Sequence, residues 1–115
     1  MRILLVVSNK ISNIKLISGL NDHCSVIDSV SSALEAHYFL YHNEYDGVII
    51  DCNLPDMDGQ LIAERIRNED SNIKIILFSS KKKSKENRNY KENDKIYHLR
   101  NSEFIADIVN IMKEE

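Results

Sequence analysis

The chain has 115 residues, of which 43% are hydrophobic and 29% charged, and its net charge is −3. That length builds one layered core and not two, and the composition excludes a mainly disordered chain. No apolar run approaches the roughly 20 residues that span a bilayer. The opening apolar stretch, Ile3 to Val7, is too short for a secretory leader, so a cytoplasmic protein without membrane contact is expected. Charge is uneven: residues 81–95 carry seven Lys or Arg and three acids, a local +4 that leaves −7 for the rest. No aromatic–basic interleaving accompanies the Lys81–Lys83 run, so it reads as a solvated edge or a docking patch for an acidic protein surface, not a nucleic-acid interface. Cys24 and Cys52 do not make a disulfide framework and read as free, packed thiols.

In chain order, Ile3–Val7 reads as a strand buried on both faces, because it is apolar without alternation. Ser12 or Asn13 offers an N-cap to a helix with the stripe Ile14, Ile17 and Leu20, ending near Asn21. Ser25–Asp28 is a short strand. Ser32 and Glu35 form a capping box, and Leu34, Tyr38 and Tyr41 at i, i+4, i+7 give a second helix to about His42. Asp46 and Gly47 make a turn before a third continuous strand, Val48–Asp51. Asn53–Gly59 holds the single proline and is a loop by composition. Leu61, Ile62, Ala63 and Ile66 mark a third helix over about 59–68, and Ile73–Phe78 a fourth strand.

Residues 80–94 contain one aromatic and no aliphatic side chain, so a solvated loop or a poorly packed fourth helix is expected there. Lys95–Leu99 reads as a fifth strand. Ser102 caps a last helix with the stripe Ile105, Ile108 and Met112. Strands of this kind alternating with helices predict an α/β fold: an open, five-stranded, doubly wound parallel sheet. The whole chain, 1–115, reads as one domain with no output domain. Its functional crevice is expected beyond the carboxyl ends of the strands.

Those ends carry Ser8 and Asn9, Asp51, Ser79 and Ser80, and Arg100. A carboxylate nucleophile, hydroxyls and a cation converging on one rim suit a phosphoryl group. The block YDGVIIDCNLPDMDG, residues 45–59, resembles the response-regulator receiver domain of two-component signalling, the chemotaxis-receiver type of fold, and the likeness extends over essentially the whole chain. The resemblance implies that Asp51 is the phosphoacceptor, attacking the phosphorus of a phosphohistidine or small phosphodonor to give an acyl phosphate. It implies that the Asn53 backbone carbonyl joins Asp51 as a Mg²⁺ ligand. Ser79 takes the place of the hydroxyl that binds a phosphoryl oxygen, and Tyr97 that of the aromatic which switches with it. Arg100 stands where the family has lysine.

The departures from the family pattern carry as much meaning. The family's acidic, metal-holding pair after the first strand is replaced by Ser8 and Asn9. Mg²⁺ favours one or two carboxylates, so weak or absent binding is expected. Asp56 and Asp58 read as turn formers rather than as substitute ligands. Arg100 keeps a positive charge but not the lysine's geometry. His37 and His42, five apart, do not share a helical face and do not suggest a metal site; His98 reads as structural.

The resemblance therefore implies an atypical receiver without enzymatic turnover, acting as a signalling and protein-interaction module with impaired Mg²⁺-dependent phosphorylation. Its partners would be a histidine kinase or downstream effector, with a homodimer also open. Two alternatives remain at this point. One is a working phosphoacceptor fed by a histidine kinase. The other is a small aspartyl-phosphate phosphatase of the haloacid-dehalogenase type, disfavoured because the D-x-N at 51–53 lies on the third strand and the chain has no cap domain.

Overall fold

The computed structural model describes residues 1–78, 96–99 and 105–113. Five strands form one parallel sheet: β1 (Arg2–Val6), β2 (Val26–Val30), β3 (Gly47–Asp51), β4 (Lys74–Phe78) and β5 (Ile96–Leu99). Their order is β2-β1-β3-β4-β5, the flavodoxin-like order 2-1-3-4-5 that the receiver resemblance implies. The described helices are α1 (Lys10–Leu20), α2 (Ala33–His42), α3 (Gly59–Glu69) and α4 (Ile105–Lys113). The expectation for 80–94 lies outside the described residues, as do Ser79, Ser80, Lys95, Arg100 and Ser102.

β3 lies between β1 and β4, paired Leu5↔Ile49 on one side and Ile49↔Ile76 on the other. All five of its residues are buried. Its side chains alternate between two apolar layers. Val48 and Ile50 join Leu4, Val6, Ile75 and Leu77 beneath α2 and α3, whereas Ile49 joins Ile3, Leu5, Ile76 and Phe78 beneath α1 and α4. Burial on both faces is why these strands lack polar alternation. Burying each such side chain contributes about 1.5–3 kcal/mol.

Several local readings are corrected. The N-cap of α1 is Asn9, whose Oδ1 accepts the Ser12 N–H at 2.9 Å, and not Ser12 or Asn13. Gly47 is not in a turn but opens β3, with the Met112 side chain packed where a Cβ would stand. Asp46 precedes it and clamps the start of β1, its carboxylate accepting the Arg2 N–H at 2.7 Å. β2 runs on to Val30 because the ladder with β1 continues through Leu5↔Ser29 and Val6↔Val30. Ser32 does cap α2, accepting from Glu35 N, but the Glu35 carboxylate reaches back to the N–H of Ser31 rather than to that of Ser32.

The helix faces differ most. The stripe Leu34, Tyr38 and Tyr41 predicted for the core of α2 points outward, 76%, 63% and 85% exposed. The buried face is Ala33 and Ala36, with Phe39 and Leu40 beside them. In α1, Ile14 is 63% exposed, and Ser12, Leu16 and Leu20 face inward. In α3, Leu61 is exposed while Ile62, Ala63 and Ile66 pack. Short helices with apolar residues on two sides present two stripes, and small alanines win the inward place on α2 because they let it approach the sheet closely.

Urea unfolding separates these faces: Leu16→Ala is expected to cost about 2–5 kcal/mol, and Ile14→Ala no more than about 0.5 kcal/mol. Equal losses would contradict the assignment.

Candidate functional site at the carboxyl rim

The rim beyond β1 and β3 is built by three backbone contacts and one side-chain cap. β3 ends at Asp51, which is only 2% exposed. The Cys52 N–H donates to the Phe78 carbonyl at 2.9 Å and carries the ladder with β4 one residue further. The chain then loops through Asn53–Asp58, whose two ends pair as an antiparallel bridge. α3 begins at once, capped by Asp58, whose carboxylate accepts the Gln60 N–H at 3.0 Å. Finally, the Gly59 N–H donates to the Cys52 carbonyl at 3.2 Å.

Gly59 is required by this closeness. A Cβ there would lie 2.6 Å from the Asp51 carbonyl oxygen and 2.8 Å from the Cys52 Cα, both backbone atoms that cannot give way. The first turn of α3 therefore rests directly on the backbone of Asp51 and Cys52.

The loop satisfies its own polar groups. Asp51 Oδ1 accepts the Asn53 N–H at 2.9 Å. The Ser8 hydroxyl points to the Asn53 carbonyl oxygen across a long 3.4 Å. Asp56 reaches out of the loop to α2, its two carboxylate oxygens accepting the N–H groups of Ala33 (2.9 Å) and Leu34 (3.1 Å). The Ala33 N–H, with that of Leu34, holds the Asp56 carboxyl below its ordinary range, as a charge at a helix N-terminus should be held. The turn-forming role expected for Asp56 is thus replaced by a tie between two elements, and Asp58 is a helix cap.

This donor set fits a magnesium ion poorly. Magnesium demands near-octahedral oxygen ligands at about 2.0–2.1 Å. The amide oxygen of Asn9 caps α1, both oxygens of Asp56 serve α2, and Asp58 serves α3. Among the described residues, Asp51 is the carboxylate left at this rim that does not serve a helix start. No group of three His, Cys, Asp or Glu side chains placed to hold a metal occurs among them either.

The other sequence-predicted residues are placed as follows. Tyr97, on β5, is half-buried on the α1–α4 face of the sheet and pairs in register with Ile76. Ser79 and Arg100 lie outside the described residues. His98 points to the opposite face, its Nε2 3.0 Å from Gln60 Oε1, and burial lowers its pKa. Both cysteines are free and half-buried. Burial first, then the Asp51 and Asp58 carboxylates, pushes the Cys52 thiol up to about 11.

Sequence reasoning missed two residues. Asn9 had a readable signal, since asparagine caps helices as well as serine does, but its place in the metal motif drew the reading elsewhere. Asp56 had none, because its partners are 22 and 23 residues away.

A model of the response regulator receiver domain matches residues 3–103. The chain is similar to the transcriptional regulatory protein PhoP of Escherichia coli K12, 31% identical over 81 residues, which are 70% of this chain and 36% of that one. It is 28% identical over 80 residues to the transcriptional regulatory protein CusR of the same strain, 70% of this chain and 35% of the other. It thus spans about a third of the length of these curated relatives. Among solved structures, a CheY-like receiver domain from Methylobacillus flagellatus superposes with a TM-score of 0.77 at 23% identity, covering 98% of each chain. The signal receiver domain of an HD domain-containing protein from Pseudomonas fluorescens Pf-5 gives 0.67 at 28% identity, over 71% of this chain and 60% of that one. The chain belongs to the response regulator receiver domain family of two-component signalling. Among the described residues, no helix is long and apolar enough to cross a membrane.

Two outcomes test this rim. Gly59→Ala is expected to destabilise by about 1–3 kcal/mol through backbone overlap, read by thermal unfolding; a neutral result would contradict the close approach. The raised Cys52 thiol binds its proton more tightly folded than unfolded. Its contribution to stability is therefore full below pH 9 and lost as pH rises through about 11. Cys52→Ala should flatten that alkaline decline in urea midpoints, and an unchanged slope would contradict it.

Proposed function

We propose that this receiver domain acts as a signalling and protein-interaction module in which magnesium-dependent phosphorylation of Asp51 is impaired, and that it performs no enzymatic turnover. The observation that carries the reading is the commitment of Asn9. It stands where the family has a metal-holding acid, and its side-chain oxygen is used to start α1. Ser8 brings no charge and faces the Asn53 carbonyl, the group a metal would need.

Phosphoryl transfer rests on positioning and on neutralising charge. A bound magnesium ion would supply that neutralisation in the family. Here the side chains at the rim instead hold the loop closed around Asp51, and its 2% exposure leaves little access for a phosphodonor. Magnesium binding is weak or absent in this reading, and so is nucleic-acid contact. The partners are signalling proteins, a histidine kinase or a downstream effector, in the cytoplasm.

A working phosphoacceptor remains the second reading. It is favoured by an open depression lined by Ser8, Cys52, Asn53 and Asp58, of which Cys52 directly follows Asp51 in the chain. Intact mass after incubation with acetyl phosphate, with and without Mg²⁺, decides between the two. No phosphate adduct is expected on the native protein. Ser8→Asp/Asn9→Asp, which restores the acids while keeping a good N-cap, should raise Mg²⁺ affinity at least about tenfold by calorimetry, on the scale of metal-site changes. A magnesium-dependent adduct on the native chain that vanishes in Asp51→Asn would establish the second reading instead.

A further inference from the structure

The outward stripe of α2 does not stand alone. It borders a groove of about 850 Å³ between α2 and the end of α3, at the amino edge of the sheet, away from Asp51. Leu34, Tyr38 and Tyr41 form one wall and are far more exposed than apolar side chains of a sealed surface. Glu44, Glu69 and Asp70, all exposed, stand around the other side. Among the described residues, no lysine or arginine lines the groove. Arg67, nearby on α3, donates to the backbone carbonyl of Asp70 at 3.0 Å.

The aromatic wall is also preorganised. The His42 ring sits 4.4 Å from the Tyr38 ring and 5.0 Å from that of Tyr41, edge-on to the latter. Stacking of this kind fixes the tyrosines before anything binds, which lowers the ordering cost of association. Tyrosine faces attract cations as well as apolar groups. A further unmet need lies in the same wall: His37 lines the groove, and its buried Nε2 has no hydrogen-bond partner among the described residues.

We propose that this groove docks a short basic, amphipathic segment of a partner protein. Its apolar side chains seat on Leu34, Tyr38 and Tyr41, and its lysines or arginines face Glu44, Glu69 and Asp70. Charge selects the occupant. A groove whose described lining holds three carboxylates and no lysine or arginine disfavours an acidic or neutral segment, and it disfavours a second copy presenting the same acidic surface by two-fold symmetry. The groove's size admits a few side chains, so the contact belongs to the small, transient class. The surface is separate from the rim at Asp51, so the proposal stands or falls independently of phosphorylation.

The test uses the full chain and a fluorescein-labelled 16-residue peptide with leucine on one helical face and lysine on the other. A control peptide carries glutamate for every lysine. Anisotropy is expected to give micromolar binding of the lysine peptide alone, weakening several-fold between 50 and 300 mM salt. Amide chemical shifts should move on α2 and at the end of α3. Glu44→Lys/Glu69→Lys should weaken binding at least tenfold, and Tyr41→Ser at least fivefold, with unchanged melting temperature for both variants. Equal binding of the glutamate peptide, indifference to the charge reversal, shifts confined to another face, or no binding at all would overturn the proposal. A concentration-dependent dimer in sedimentation that Tyr41→Ser abolishes would give the face to a second copy and overturn it too.

Discussion

Everything at the carboxyl rim depends on β3 being buried along its whole length. A strand covered on both faces and paired on both edges has no freedom to slide. Its last residue, Asp51, is therefore held at a set height between β1 and β4, in register with Phe78. The strand cannot lengthen either, because α3 begins within eight residues and Gly59 lies against the Asp51 and Cys52 backbone. A side chain larger than hydrogen at that point would push α3 off the sheet and release the loop.

The loop between them is fastened by hydrogen bonds. Asp51, Ser8, Asp56 and Asp58 each meet a backbone group of α2, α3 or the loop itself. The tie from Asp56 is the longest in reach, since it fixes the loop to the start of a helix on the neighbouring strand's crossover.

The two halves of α2 divide the helix's work. Its inward face is alanine, which seats it against the sheet, and its outward face keeps the large side chains. Tyr38, Tyr41 and Leu34 cost solvation without adding to the core. An arrangement of that kind persists where a surface is used. The acids at the ends of α3 and α2 complete it.

The fold class was legible in the sequence because strands buried on both faces must be continuously apolar and their crossovers right-handed, whereas the strand order followed from the receiver resemblance. Asp51 was legible as a strand-end carboxylate followed by Leu54, Pro55, Met57, Asp58 and Gly59, the pattern that carries the receiver resemblance. The direction each helix faces was not legible. α1, α2 and α3 carry apolar residues on more than one side, and periodicity alone cannot rank a stripe of leucine and tyrosine below one of alanine. Only packing against the sheet does so, through the space left between layers. The roles of Asn9 and Asp56 were likewise settled in three dimensions. One residue type serves equally as cap, turn former or ligand, and which backbone N–H groups lie within reach is a property of the assembled fold.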